Sequence, residues 1–320
     1  LAAGLALSLS AMAALPTTAQ ATAIAQSIIK IEDLTFAQAD GAAGRSTTAL
    51  NPSIFSAIDG TQSGDVSASL GGAVPSTDIF NLAVDINGTV NQAISKCQGS
   101  GCGSYVPGSD LNPLPATQTF SYSGASLSGN ILDIDSNGGA GVDVFLDNTV
   151  SIQGTSTGSA QSNTGLSVTY GFNVTSSGLS IEIAFNASSI FNQLIEKTGE
   201  AAETAYKWSL LLEKSGEGTV LSWTPNAAPT GTLAGTVFSS PFNLNPPSTN
   251  VNNPLFNKHL VNPSQSFEIE TGLLTAGTYQ LTIGALSKAD AKAIPEPTSL
   301  ALLGLGLLGL GGVKARRRSA

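Results

Sequence analysis

The sequence predicts an all-β protein, a β-sandwich body of jelly-roll type with one short helix, held between two apolar ends. Three observations predict it. Charged residues make up only 11 % of the 320-residue chain, against roughly a quarter in most soluble domains. Ser, Thr, Asn and 35 glycines take their place, a mix that suits short strands and turns and is poor for long helices. Apolar residues, 41 % of the chain, are enough for a core and recur with period two in runs closed by Gly, Pro and Asn.

Residues 1–25 read as a secretory signal entered part-way through its apolar region. Leu1 to Leu15 is rich in Ala and Leu, and Ala19-Gln20-Ala21, Ala21-Thr22-Ala23 and Ala23-Ile24-Ala25 each fit the small-x-small pattern of a cleavage site. The body is placed at 26–292. Phe80, Leu82, Val84 and Ile86 alternate ahead of a turn at Asn87-Gly88. Cys97 and Cys102 are a C-x4-C pair, read as a disulfide staple outside the cytoplasm; the C-x-x-C spacing of a redox site is absent.

Asp133-Ile134-Asp135-Ser136-Asn137-Gly138 opens like a calcium loop, but Val144 stands where the bidentate Glu belongs. On a hairpin turning at 136–141, Asp133, Asp135, Asp143 and Asp147 fall on one face. The residues favour a solvated acidic face beside an Asn-Gly turn. The rival is a Ca²⁺ ion, held by these four carboxylates with Asn137, that relieves the cross-strand repulsion. No other cofactor is expected.

Gly154-Thr155-Ser156-Thr157-Gly158 matches G-x-S-x-G, with Glu182 and His259 downstream in the order of an acyl-transfer triad. The Ser/Thr-rich flanks lack the helix that a nucleophile elbow needs, so a turn is the better reading.

Leu166, Val168, Tyr170, Phe172 and Val174, then Leu179, Ile181, Ile183 and Phe185, alternate about Ser176-Ser177-Gly178 and predict a hairpin. The one helix is placed at 188–197, with Ile190, Phe191, Leu194 and Ile195 as its apolar stripe and Gly199 after its end. Tyr206, Trp208, Leu210 and Leu212 share a face and return through Leu221 and Trp223 after Ser215-Gly216-Glu217-Gly218, a second hairpin. Both tryptophans are read as core before they are read as sugar-stacking platforms. The Pro/Asn-rich stretch 241–266 reads as a long surface loop. Phe267 and Ile269 match Tyr279, Leu281 and Ile283 in style as a closing pair of strands.

The C-terminal segment, 293–320, carries three signals at close spacing. These are Pro295-Glu296-Pro297, the uncharged stretch Ser299–Val313, and the cluster Lys314, Arg316, Arg317 and Arg318. Fifteen residues in a helix span about 22 Å, short of the ~30 Å hydrocarbon core, and the basic cluster is expected to stay cytoplasmic. This tail resembles the PEP-CTERM sorting domain of bacterial surface proteins. The resemblance implies a helical tail inserted in the membrane for a time and recognised by an exosortase, which removes it near the tripeptide. It further implies delivery to the surface or exopolysaccharide matrix of a Gram-negative bacterium, with biofilm as the setting.

The net charge of −9 argues against nucleic acid, which needs clustered cations. Without the tail's charges the body keeps 9 basic and 21 acidic residues, a net of −12. One His and two Cys exclude Cys/His zinc sites. The resemblance of the tail, together with the absence of a catalytic set in the body, implies a non-enzymatic function: a structural or adhesive exported protein. The alternatives are a Ca²⁺-dependent carbohydrate-binding module that uses an aromatic such as Phe145, and a secreted hydrolase built on Ser156 and His259.

Overall fold

The computed structural model describes residues 21–44, 46, 48–51, 53–84, 90–111, 118–129, 141–154, 158–196, 199–225, 227–246, 249–251 and 256–293. Among them there is no helix. In chain order the strands are β1 (Ala21–Gln38), β2 (Phe55–Leu70), β3 (Ser76–Val84), β4 (Val90–Gly99), β5 (Phe120–Gly129), β6 (Val142–Gly154) and β7 (Gly158–Val174). They continue as β8 (Ile181–Ile195), β9 (Ala201–Lys214), β10 (Gly218–Trp223), β11 (Thr236–Ser239), β12 (Thr249–Val251), β13 (Phe256–Glu270) and β14 (Gly277–Ala293). The described strands run from Ala21 to Ala293.

The strands form two antiparallel sheets packed face to face, the sandwich expected from the alternation. One sheet runs β11-β13-β8-β1-β6-β5-β4; the other runs β10-β9-β14-β7-β2-β3, with β12 added against β9. The core between them holds Ile29, Ile31, Val144, Leu146, Phe185 and Phe267 from the first sheet. From the second it holds Val168, Tyr170, Trp208, Leu210, Leu281 and Ile283. Trp208 and Trp223 are fully buried, 5.7 Å apart and nearly perpendicular, so they are core and not a sugar platform. A second buried cluster is made mostly of small residues, including Ala23, Ala25, Ala160, Ala202, Ala289 and Ala291. Between the two regions Asn148 Oδ1 accepts from Ser123, Ser162 and Thr164, so a polar group inside the sandwich is met by donors from both sheets.

Four expectations are corrected. The helix at 188–197 is the second half of β8. Phe191 and Ile195 face the core, while Leu194 packs against apolar cover on the outer face. A strand with apolar neighbours on both faces imitates a helical stripe. Leu166–Phe185 is not a hairpin, because β7 pairs β2 and β14 in one sheet and β8 pairs β1 and β13 in the other. The turn at Ser176–Gly178 crosses between sheets. Likewise Phe267 and Ile269 on β13 and Tyr279, Leu281 and Ile283 on β14 face each other across the core and are not ladder partners. Period two reveals which face is dry, and that face looks the same whether the partner lies beside it or across the core. Finally, much of 241–266 is strand: β12 pairs β9, and β13 pairs β8 from Phe256 onward. The β9–β10 hairpin forms as expected, with Leu212 opposite Leu221 and Leu210 opposite Trp223.

Candidate functional site: the outer face of the first sheet

β1 and β6 lie side by side near the middle of the first sheet, and the alternation that sends Ile29 and Val144 inward sends Gln26, Lys30, Phe145, Asp147 and Thr149 outward. An outward polar row is ordinarily wet. Here the segment after β4 folds over it. Cys97 and Cys102 are joined as a disulfide with Cα atoms 5.8 Å apart, which turns the chain back onto the sheet. Residues 103–111 then run as a strap across β1, β5 and β6. Under it, Tyr105 and Leu111 pack on Ile24, Phe120 and Tyr122, a small second core on the outside of the sandwich.

The strap is bonded through a buried polar cluster. Tyr105 Oη donates to the Asp147 carboxylate, 3.0 and 2.8 Å from its two oxygens. Gly108 N–H donates to Asp147 Oδ2 at 2.7 Å, and Thr149 Oγ1 to Oδ1 at 2.8 Å. Gln26 serves both sides of the strap: its Nε2 donates to the Ser109 carbonyl and its Oε1 accepts from Leu111 N–H. Burial pushes the Asp147 carboxyl up to about 6, although the hydrogen bonds from Gly108, Tyr105 and Thr149 pull it down. Burial and the adjacent Asp147 charge push the Tyr105 hydroxyl upward as well, so it stays a donor. At the end of the strap Asp110 Oδ2 lies 2.8 Å from His259 Nε2 on β13.

Beside the strap's bend, an open cleft of ≈ 250 Å³ is lined by Lys30, Glu32, Pro107, Gly108, Asp143 and Phe145, among others. Lys30 Nζ sits 5.7 Å from the Phe145 ring centroid, a cation–π contact. Next to the cleft β1 carries a bulge: its ladder to β6 shifts between Ile31 and Leu34, and Asp33 adopts φ 55°. Asp143 Oδ1 accepts from Asp33 N–H at 3.0 Å, and Asn186 Nδ2 donates to Asp33 Oδ2 at 3.2 Å. Gly141 is required there, because a Cβ would stand 2.5 Å from the Asp33 backbone. The cleft therefore combines an aromatic ring, an ammonium and two carboxylates, the kit of a shallow polar-ligand subsite.

Asp143 and Asp147 share a face of β6, as the alternation predicts, but they are four residues apart, about 13 Å along a strand. One caps the bulge and the other holds the strap, so they do not sit in one ion's shell. Asp133, Asp135 and Asn137 lie outside the described residues, as does Ser156. Among the described residues no group of three or more His, Cys, Asp or Glu side chains is placed to hold a metal ion. Glu182 and His259 are not brought together. Glu182 pairs with Glu270 in the β8–β13 ladder and His259 with Asn192, ten positions and about 33 Å away.

Glu182 has a different role. It is buried on the outer face of the first sheet, under the segment after β1, and accepts from Ser46 N–H at 2.6 Å. Burial, with Glu268, Asp40 and Glu270 nearby, pushes its carboxyl up to about 7. Glu268 holds the same segment at Gly44 N–H, 3.1 and 3.2 Å from its two oxygens. Sequence reasoning named Glu182 for a different role, and it missed Glu268 and the strap. The available signals were Gln26 inside an otherwise apolar β run and the Tyr105-Val106-Pro107-Gly108 turn just after a cysteine staple.

The tail residues Pro295, Glu296, Pro297, Lys314, Arg316, Arg317 and Arg318 lie outside the described residues; the described chain ends on β14 at Ala293. In sequence, residues 293–318 match the model of the PEP-CTERM protein-sorting motif. The chain therefore carries the sorting tail of an exported exosortase substrate. No curated protein and no solved structure matches the chain.

Proposed function

We propose that the sorted body is a non-enzymatic structural or adhesive component of the cell surface or exopolysaccharide layer of a Gram-negative bacterium. The carrying observation is the exosortase sorting motif at 293–318 directly behind a sandwich whose outer face is stapled and strapped shut. A sandwich of two hydrogen-bonded sheets ahead of the cut tail presents its faces outside the cell. Its net charge of −12 repels anionic polymers at low ionic strength, so contact with an acidic polysaccharide runs through uncharged groups or a bridging cation. The test is fractionation of the native host with and without its exosortase. The processed body is expected in the surface or matrix fraction, and in the membrane fraction with its tail when exosortase is missing. Recovery of the processed body from the cytosol rejects the proposal.

A second reading is favoured by one observation, the Phe145 ring on an open cleft rimmed by Lys30, Glu32 and Asp143. In it the body is a carbohydrate-binding module, with Ca²⁺ as its candidate ion at the Asp143 side. Saturable binding to a defined glycan, lost in Phe145→Ala and dependent on added Ca²⁺, supports this reading over a purely structural role. A hydrolase using Ser156 and His259 is the third reading; ester turnover that disappears in His259→Ala is its test.

A further inference from the structure

The leader offers three small-x-small cleavage sites, and they differ in what they leave of β1. This strand is interior in its sheet. Ile24 pairs with Ser151 on β6 and with Leu194 on β8; Ala25 pairs with Val150 and Gln193. Ala23, Ile24 and Ala25 are each 0 % exposed. A cut after Ala25 removes these residues and opens a slot between β6 and β8, where backbone groups lose their partners. A cut after Ala23 removes Thr22, whose carbonyl accepts from Glu196 N–H at the end of β8. Among the described residues, a cut after Ala21 costs the outermost pair, Ala21 with Gly154.

A second, independent feature singles out the same bond. Glu200, between β8 and β9, is 0 % exposed. Its Oε1 accepts from the backbone nitrogen of Thr22 at 3.1 Å, and its Oε2 from Glu196 N–H at 3.0 Å. A buried carboxylate aimed at a backbone nitrogen is a ready counter-ion if that nitrogen becomes charged.

We propose that the leader is cut between Ala21 and Thr22, and that Glu200 receives the new α-ammonium of Thr22 as a buried ion pair that fixes the mature N-terminus in the sheet. This rests on the export reading above. In the cut, a leader peptidase adds water across the Ala21–Thr22 amide. The hydroxyl goes to the Ala21 carbonyl carbon, the C–N bond breaks, and the hydrogen goes to the Thr22 nitrogen. The Ala21 acid then releases its proton and the amine takes one up, since an α-amino group titrates near 8. The hydrogen bond already present from the Thr22 nitrogen to the Glu200 carboxylate then has a charged donor as well as a charged acceptor and becomes an ion pair with no movement of the chain.

The test exports the protein from its own gene, with the whole native leader, in a Gram-negative host and determines the first residue by intact mass and N-terminal sequencing. Thr22 is expected. A start at Ile24 or Gln26 overturns this inference alone, whereas an uncut leader overturns it together with the export reading. The second arm reads the pairing through the rate at which the α-amine is acylated in the folded protein. Glu200→Gln keeps one of the two acceptor oxygens and removes the charge, so the rate should rise about tenfold or more, the worth of a charge-assisted bond. An unchanged rate, with the variant folded, means that Glu200 serves only as a neutral acceptor and overturns the ion pair. The N-terminal sequence of the unaltered chain decides the cleavage position even where the variant does not fold.

Discussion

Tyr105 reaches across 42 residues of sequence to place its hydroxyl 2.8 Å from Asp147 Oδ2, the oxygen that also accepts from Gly108 N–H. This contact joins an irregular strap to an interior strand of the sheet and shields a carboxylate from water. Tyr105→Phe keeps the ring packing against Phe120 and Tyr122 and removes one donor. The expected loss is about 1–3 kcal/mol, the cost of leaving a buried acceptor short of a partner. Urea unfolding measures it, and limited proteolysis should cut first within 103–111.

The pH dependence follows from two covered carboxylates. Asp147 titrates at about 6 and Glu182 at about 7, both raised chiefly by burial. A raised acid favours the protonated form in the folded state, so its stabilising contribution is full below the unfolded value near 4 and is lost as pH climbs through the folded value. Stability should therefore fall between about pH 4 and pH 7. Thermal melts across this range check it. Asp147→Asn should flatten the part that ends near 6, and Glu182→Gln the part that ends near 7; a profile that rises with pH in both variants and the parent is the contrary result.

The Cys97–Cys102 bridge closes a six-residue loop, for which the chain-entropy model gives about 2 kcal/mol. The paired substitution Cys97→Ser with Cys102→Ser should lower stability by roughly that amount. The disulfide adjoins the small outer core around Ile24, Tyr105 and Phe120, so the effect should also appear there. Hydrogen exchange at 103–111 is expected to quicken while the β9–β14 ladder stays protected.

Trp208 is fully buried between Phe185 and Trp223, with ring centroids at 4.7 and 5.7 Å. Trp208→Ala should cost about 3–5 kcal/mol through lost burial and an unfilled cavity. Phe145→Ala, on the open cleft, should cost far less. A glycan interaction, if one is found, should follow Phe145 and be blind to conservative changes at Trp208.

The all-β class was legible because the alternation at Leu166–Val174, Tyr206–Leu212 and Tyr279–Ile283 is strict, and each of those dry faces is buried. The β9–β10 hairpin was legible too: after the turn at Ser215–Gly218, Leu221 and Trp223 return opposite Leu212 and Leu210 in the same sheet. Pairing across a turn was not legible at Ser176–Gly178, where the chain changes sheets, and the apolar stripe of β8 imitated a helix because the strap covers part of its outer face. The acidic face of β6 was placed correctly for Asp143 and Asp147, yet their work was not, because no local pattern shows that Tyr105 and Gly108 arrive from another strand connection.

What the amino-acid sequence determined by itself is the chemistry carried along the chain: the exosortase sorting motif, the cysteine staple, the strand period and the acidic balance. These depend on neighbours a few residues apart. Only the tertiary structure decided which sheet each strand joins, which carboxylates are covered, and that residues ahead of Gln26 form an interior strand ending on Glu200. Those properties are set by contacts between residues tens to hundreds of positions apart, and burial, which shifts a carboxyl or makes a cut intolerable, exists only once the two sheets and the strap have closed.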